Sequence, residues 1–251
     1  MATTGPAAGN GFAGKPPELR FGTLAESYDS ARPDYPLDAV AWLIKDVQGT
    51  VAELGAGTGK FTRTLVDLGL RVLAIDPDLA MLEVLGSRAP SALPVQAVAE
   101  ALPLADASMG AVVAAQAWHW FDAARAWASA MRVLAPSGRI AVAWNAPSLR
   151  ATWQRKIAKL GPVISPVTED WWPSGIPHQS MEKRLFLWQT LLTPQQVRDE
   201  YATHLAVRKL ELVARSAYLD RVEELAARET VSGSDGLVSY ERLTWCARLR
   251  S

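Results

Sequence analysis

The sequence predicts an α/β fold: a seven-stranded, mostly parallel sheet with helices on both faces, its last strands antiparallel, and a variable helical lid. Three observations predict it. Short β-rich runs alternate with helical patterns through the first 145 residues, and such alternation builds parallel sheets covered on both sides. A glycine-rich turn, Val51-Ala-Glu-Leu-Gly55-Ala-Gly57-Thr-Gly59-Lys60, lies where a buried strand gives way to a helix. After Asn145 the rhythm changes, and two more strand patterns complete the sheet.

Taken in order, an opening helix is expected near Leu37–Val47, followed by strands at Thr50–Leu54, Arg71–Asp76, Val95–Val98, Ala111–Gln116 and Arg139–Asn145. Helices fall between them near Gly59–Leu68, Asp78–Ser87 and Asp122–Leu134, with Asp78 and Asp122 placed to cap helix N-termini. Beyond Asn145 come a helix over about Ser148–Leu160, a Pro- and Trp-rich connection, and a strand at Leu185–Leu192. Thr193-Pro194 opens a further helix, because Thr caps and Pro is tolerated at the first helical position. A helix near Tyr218–Arg228 and an alternating strand near Tyr240–Leu249 end the chain.

With 251 residues, 49% of them apolar, the chain can bury one substantial core. Residues 1–17 read as a disordered Ala/Gly/Pro/Thr-rich tail without signal-peptide features, and residues 18–251 as one domain in which 146–183 is a variable lid or substrate segment. Lys plus Arg balances Asp plus Glu at 26 each, which removes the long-range positive field that collects nucleic acid. The run Ala39–Ile44 falls far short of the roughly 20 apolar residues of a membrane span. The lone Cys246 excludes an internal disulfide and fits a reducing compartment, so a cytoplasmic protein, monomer or homodimer, is expected. One cysteine and three scattered histidines provide no ligand cluster of metal-site spacing.

The glycine turn suits a nucleotide-type ligand: glycines let the backbone approach closely, and the helix N-terminus offers free amide groups. Asp76 ends the second strand 21 residues beyond Gly55, where an acid can accept hydrogen bonds from both ribose hydroxyls. A dinucleotide fingerprint requires its third glycine at position 60, but Lys60 stands there and Gly59 comes one residue early. A nicotinamide-dependent oxidoreductase is disfavoured on that ground.

Glu53-Leu-Gly-Ala-Gly-Thr-Gly59 resembles motif I of Rossmann-like class I S-adenosylmethionine-dependent methyltransferases, specifically the methyltransferase type 11 group. Phe21 with Ala25, Tyr28, Arg32-Pro33 and Tyr35-Pro36 match ahead of it, and Ala74-Ile-Asp76-Pro, Ala99-Glu-Ala-Leu-Pro103, Gln116-Ala-Trp-His119-Trp-Phe-Asp122 and Arg132-Val-Leu134 follow it in order. The resemblance implies S-adenosylmethionine as cofactor, with Gly55, Gly57 and Gly59 along its methionine portion, Asp76 on the ribose and Glu53 facing the ammonium. It further implies Ala99 and Glu100 at the adenine, Gln116 beside the sulfonium, and Tyr28 and Arg32 in an N-terminal lid, Arg32 being a partner for the cofactor carboxylate. Val98 stands where many relatives carry Asp or Ser, and Gly110 and Ser137 depart at turns.

Methyl transfer from a sulfonium is an in-line displacement that needs alignment and exclusion of water, not a nucleophilic side chain or a metal. A base is needed only for an acceptor protonated at neutral pH. His119, just past the fourth strand, is the candidate base or else a pocket wall, whereas His178 and His204 read as ordinary residues. Trp118, Trp120 and Trp144 at strand ends and Trp171-Trp172 in the connection are candidates for a substrate pocket, with core packing as the alternative. The expected reaction is N- or O-methylation of a small molecule such as an aromatic or heterocyclic metabolite. Alternatives are a carboxyl methyltransferase using Arg150, Arg155 or Arg184, and a cofactor-binding protein without transferase activity.

Overall fold

The computed structural model describes residues 31–162, 172–177, 181–231 and 235–249. Seven strands form one sheet in the order β3-β2-β1-β4-β5-β7-β6. They are β1 (Thr50–Leu54), β2 (Arg71–Asp76), β3 (Leu93–Gln96), β4 (Met109–Ala115), β5 (Leu134–Pro147), β6 (Met181–Leu192) and β7 (Val238–Leu249). Pairings among β1 to β5 are parallel, while β7 runs antiparallel to both β5 and β6. The expected mixed sheet is therefore present, with every expected strand in it.

Alternation along the central strands shows why both faces need helices. Ala111 and Val113 of β4, with Ala141 and Ala143 of β5, join one apolar cluster. Their neighbours Val112, Ala114, Ile140, Val142 and Trp144 join the other. A strand buried on both sides must be covered on both sides. Helices α1 (Leu37–Leu43), α2 (Lys60–Asp67) and α3 (Leu79–Arg88) cover the first face through Val40, Leu65 and Leu85, and α4 (Ala123–Val133) covers the second through Ala126, Ala130 and Val133. Asp78 caps α3 by accepting from the Ala80 amide at 3.1 Å, and Asp122 caps α4 through the Arg125 amide at 3.1 Å.

A third cluster builds a helical lobe from α5 (Thr152–Leu160), α6 (Pro194–Ala202), α7 (Leu205–Arg208) and α8 (Leu212–Ala227). Trp153 and Ile157 of α5 pack there with Val197, Tyr201 and Val222, so the described part of the 146–183 segment is in part a core element. Thr193 and Gln196 form a full capping box at the start of α6, with Pro194 in the first turn. Arg242 of β7 ties the lobe to the sheet by a bidentate pair to Glu200 of α6, at 2.7 and 2.6 Å.

Some boundaries differ from expectation. The third strand starts at Leu93, not Val95, because it is the sheet edge, where Pro94 costs no ladder hydrogen bond on the open side. Its pairing ends at Asp76–Gln96, which turns Ala97 to Ala99 out of the sheet. The terminal strands and α8 are longer than local pattern suggested, since pairing of β6 with β7 extends over all 12 residues. Helix α7, at four residues, was too short to leave a periodic signal. The 1–17 tail lies outside the described residues. Cys246 is fully buried in β7, and burial pushes its thiol well above the usual range, as befits a packing residue. No helix among the described residues is long and apolar enough to cross a membrane, and no group of three or more His, Cys, Asp or Glu among them could hold a metal.

Candidate active site

The strand order reverses between β1 and β4, and a cavity opens at the C-terminal ends of these strands, where ligands bind in such sheets. Its floor is the glycine turn. The amides of Gly55 and Ala56 donate to the Ile75 carbonyl at 2.8 and 3.0 Å, folding the turn back onto β2. The Gly57 amide donates to Asp76 Oδ2 at 2.9 Å, and the Asp78 amide to Asp76 Oδ1 at 2.9 Å. Two backbone donors thus orient a carboxylate that is only 8% exposed and lines the cavity.

All three glycines have left-handed φ, but they serve different ends. A Cβ on Gly55 would lie 2.5 Å from the Ala117 Cβ, and one on Gly59 would lie 2.8 Å from Leu85 Cγ. A Cβ on Gly57 would meet no atom within 4 Å, because this residue borders the open cavity. Gly59 is not among the cavity-lining residues; it lets α2 approach α3 closely.

Glu53, 1% exposed, borders the cavity from the end of β1. Its Oε2 accepts from the Thr62 hydroxyl at 2.7 Å, and it forms no ion pair among the described residues. Burial pushes its carboxyl up to about 8; the Thr62 bond opposes this and the negative Asp76 adds to it. Gln116, just past β4, lines the opposite wall at φ 54°, a conformation costly for a residue with a side chain. Its amide donates to the Ala143 carbonyl at 2.9 Å and its Nε2 to the Asn145 carbonyl at 2.7 Å, which hold it there. Ala99 and Glu100 border the cavity after β3, and Glu100 Oε1 accepts from the Asp122 amide at 2.8 Å. Arg32 also lines it, while Tyr28 lies outside the described residues.

The tryptophans divide. Trp120 lines the cavity. Trp118 and Trp144, expected in the substrate pocket, lie instead in the core at 2% and 4% exposure, Trp144 edge-on to Trp245. Trp172, also expected there, packs on Trp245 at 5.2 Å and donates from Nε1 to the Ile176 carbonyl at 2.7 Å. The reason is geometric: the short 3₁₀ turn Trp118–Trp120 sends its first ring inward, and alternation along β5 puts Trp144 on the helix-covered face. Trp171 lies outside the described residues, as does His178.

His119 does not line the cavity; its ring sits 4.9 Å from that of Trp120. The residue is exposed to solvent, and partial desolvation of its ring, with the positive charge of Arg32, draws its imidazole below the usual value. Sequence reasoning missed Tyr35, Lys60, Phe61, Met81 and Asn145 in the wall. Lys60 and Phe61 begin the helix after the glycine turn, and Asn145 falls at the C-terminal end of the fifth expected strand, so the strand-edge rule had the means to flag it. Tyr35 belongs to a stretch that matches the family without a role attached, and Met81 left no signal.

A family model described as a methyltransferase domain matches residues 52–142, the span that holds the glycine turn, Asp76, Ala99, Glu100 and Gln116. Over 235 residues the chain is 36% identical to an uncharacterized methyltransferase of Mycobacterium tuberculosis, covering 92% of this chain and 95% of that one. It is 33% identical to a malonyl-[acyl-carrier protein] O-methyltransferase of Pseudescherichia vulneris, over 56% of this chain and 59% of the relative. A solved structure from Anaeromyxobacter dehalogenans that carries a provisional Type II methyltransferase name shares the fold, with TM-score 0.64 and 23% identity over 87% of this chain and 97% of that one. The sheet order, the glycine turn and this full-length similarity lead to one conclusion: the chain belongs to the S-adenosylmethionine-dependent class I methyltransferases.

Proposed function

We propose that the cavity at the β1–β4 switch point binds S-adenosylmethionine and that the protein transfers its methyl group to a small-molecule acceptor in the cytoplasm, as a monomer or homodimer. The observation that carries this reading is the Asp76 carboxylate, fixed by two backbone amides at the wall of a cavity that the Cβ-free edge of Gly57 leaves open. Asp76 would accept from the ribose hydroxyls and Glu53 would face the ammonium. Pro77, Met81, Val98 and Phe121 supply apolar wall for the adenine, beside Ala99 and Glu100. The bound cofactor supplies an electrophilic methyl on a sulfonium: the acceptor's lone pair forms the new bond to carbon as the carbon–sulfur pair returns to sulfur. The chain's part is to align the two and exclude water, with Gln116, Trp120 and Asn145 walling the cavity.

A second reading, carboxyl methylation of a small acid, is favoured by one specific observation. His119, the candidate base, is outside the cavity wall and exposed to solvent, so it is not placed to take a proton from an acceptor inside the cavity. An acceptor with no proton to lose, such as a carboxylate, avoids that requirement, and one relative is named a malonyl-[acyl-carrier protein] O-methyltransferase. Arg32 and Lys60 contribute positive charge to the wall, whereas Arg150, Arg155 and Arg184 do not line it.

Titration with S-adenosylhomocysteine tests the cofactor site. Asp76→Ala is expected to weaken binding by about 1–3 kcal/mol in a folded protein, because the ribose hydroxyls lose a charged acceptor; unchanged binding would remove the assignment. A screen of carboxylate, amine and phenol acceptors with labelled cofactor then separates the two acceptor readings.

A further inference from the structure

Asn145 makes three long-range contacts that the reading above does not use. Its carbonyl accepts from Gln116 Nε2 at 2.7 Å, its Oδ1 accepts from the Thr244 hydroxyl at 2.6 Å, and its Nδ2 donates to the Asp34 carbonyl at 3.1 Å. Thr244 is itself fully buried in β7 and accepts from Trp188 Nε1 of β6 at 2.8 Å. A continuous chain of hydrogen bonds therefore runs from the antiparallel edge of the sheet to the cavity wall and on to the segment 32–35.

That segment is a strap. Arg32, Pro33 and Tyr35 line the cavity, and Asp34 between them is held at two points. Lys60, at the start of α2, pairs with Asp34 Oδ1 at 3.2 Å, on the glycine-turn side. Asn145 holds the Asp34 carbonyl from the β5 side. Tyr35 adds an edge-on contact to Phe61, with ring centroids 4.9 Å apart. The ion pair involves an Asp34 side chain that is 66% exposed, so solvent and salt weaken it. The amide of Asn145, oriented by a buried hydroxyl on its other end, is the better-defined anchor.

We propose that Asn145 is a positioning residue of the methyl-transfer site: oriented by Thr244, its side-chain amide holds the 32–35 strap across the cavity. The role rests on the cavity being the cofactor site, but its primary test does not. Backbone 15N order parameters at Asp34 and Tyr35 are measured in the free wild type, Asn145→Ala, Thr244→Val and Thr244→Ser, well below their melting temperatures. The order parameters are expected to fall from the rigid range of about 0.85 to below about 0.6 in Asn145→Ala and Thr244→Val, while Thr244→Ser, which keeps the hydroxyl, stays near wild type.

The dissociation rate of S-adenosylhomocysteine should rise in the same order, by about three- to tenfold in the first two variants. A merely structural role would lower melting temperature with no change at Asp34 and Tyr35. Wild-type order parameters at these positions in Asn145→Ala overturn the proposal, as does equal behaviour of Thr244→Ser and Thr244→Val. If Asn145→Ala fails to fold, the Thr244 pair decides alone. Lowered order parameters in a protein that binds no S-adenosylhomocysteine would uphold the strap and defeat the cofactor-site reading, so the two failures are distinct.

Discussion

A carboxyl group enclosed by protein holds its proton more tightly than one in water, and Glu53 is enclosed on every side but the cavity. Its folded value of about 8 lies above the ordinary 4.5, so the fold retains a proton that the unfolded chain gives up. The contribution of Glu53 to stability is accordingly full below about pH 4.5 and is lost as pH rises through about 8. Glu53→Gln, which is neutral at every pH, is expected to gain on wild type steadily between pH 5 and 8 in urea unfolding; parallel curves would show that Glu53 ionises normally. An ammonium group placed against the carboxylate, as on the amino-acid end of S-adenosylhomocysteine, reverses the preference. Binding of S-adenosylhomocysteine near pH 7 should release close to one proton, read by calorimetry in two buffers of different ionisation heat, and none from Glu53→Gln. Below pH 8, affinity should then fall by roughly tenfold per pH unit. The acid in this position was visible in the sequence, but the proton was not, because burial depends on strands brought together from distant parts of the chain.

At the scale of elements, the glycine turn shows how one motif mixes binding with packing. Gly57 faces open cavity, whereas Gly59 meets Leu85 of α3, and both have left-handed φ. Alanine at either position costs about 1 kcal/mol for the backbone conformation alone. Gly59→Ala must also displace Leu85, and should lose about 2–3 kcal/mol in total with cofactor affinity largely kept. Gly57→Ala should lose little beyond the backbone term but at least tenfold in S-adenosylhomocysteine affinity. Comparing denaturant midpoints with binding constants checks this; a stability loss confined to Gly57, or an affinity loss shared equally, would contradict the division. Most elements were legible because their signals are local: period-two alternation, Asp78 and Asp122 as caps, Thr193-Pro194 as a helix start. The third strand was misplaced because Pro94 is acceptable only at a sheet edge, and edges are a property of the assembled sheet. The strand-end Trp residues divide for a related reason: Trp118, Trp120 and Trp144 are all near strand ends, but only the direction of each side chain separates the core positions 118 and 144 from the cavity position 120.

At the scale of the molecule, the helical lobe is fastened to the sheet by a charge pair that water does not reach. The Arg242 and Glu200 side chains are 3% and 6% exposed, and the guanidinium also lies over the Tyr240 ring at 4.3 Å. Removing one partner leaves the other charged and buried, which costs about 3–5 kcal/mol, while replacing both with apolar groups avoids that penalty. Arg242→Met is therefore expected to destabilise strongly, and Arg242→Met combined with Glu200→Leu to recover most of the loss. Urea titration of the three proteins measures it, and additive losses in the double variant would show that the pair's burial is not the source. Its partners stand 42 residues apart, so nothing in either local stretch marked the contact.

What the sequence by itself determined was whatever short-range backbone requirements write into it: alternating strands, amphipathic helices, a turn that needs glycine, and an acid one strand later. These suffice for a mostly parallel α/β sheet and for Gly57, Glu53 and Asp76 along its ligand-binding edge. Only the tertiary structure decided which side chains face the cavity and what holds them. The bonds that do so join Gln116 to Asn145, Asn145 to Asp34 and Thr244 to Asn145 across separations of 29, 111 and 99 residues. A hydrogen bond at that range depends on the direction of two side chains after the strands have paired and twisted, and no local pattern encodes that direction.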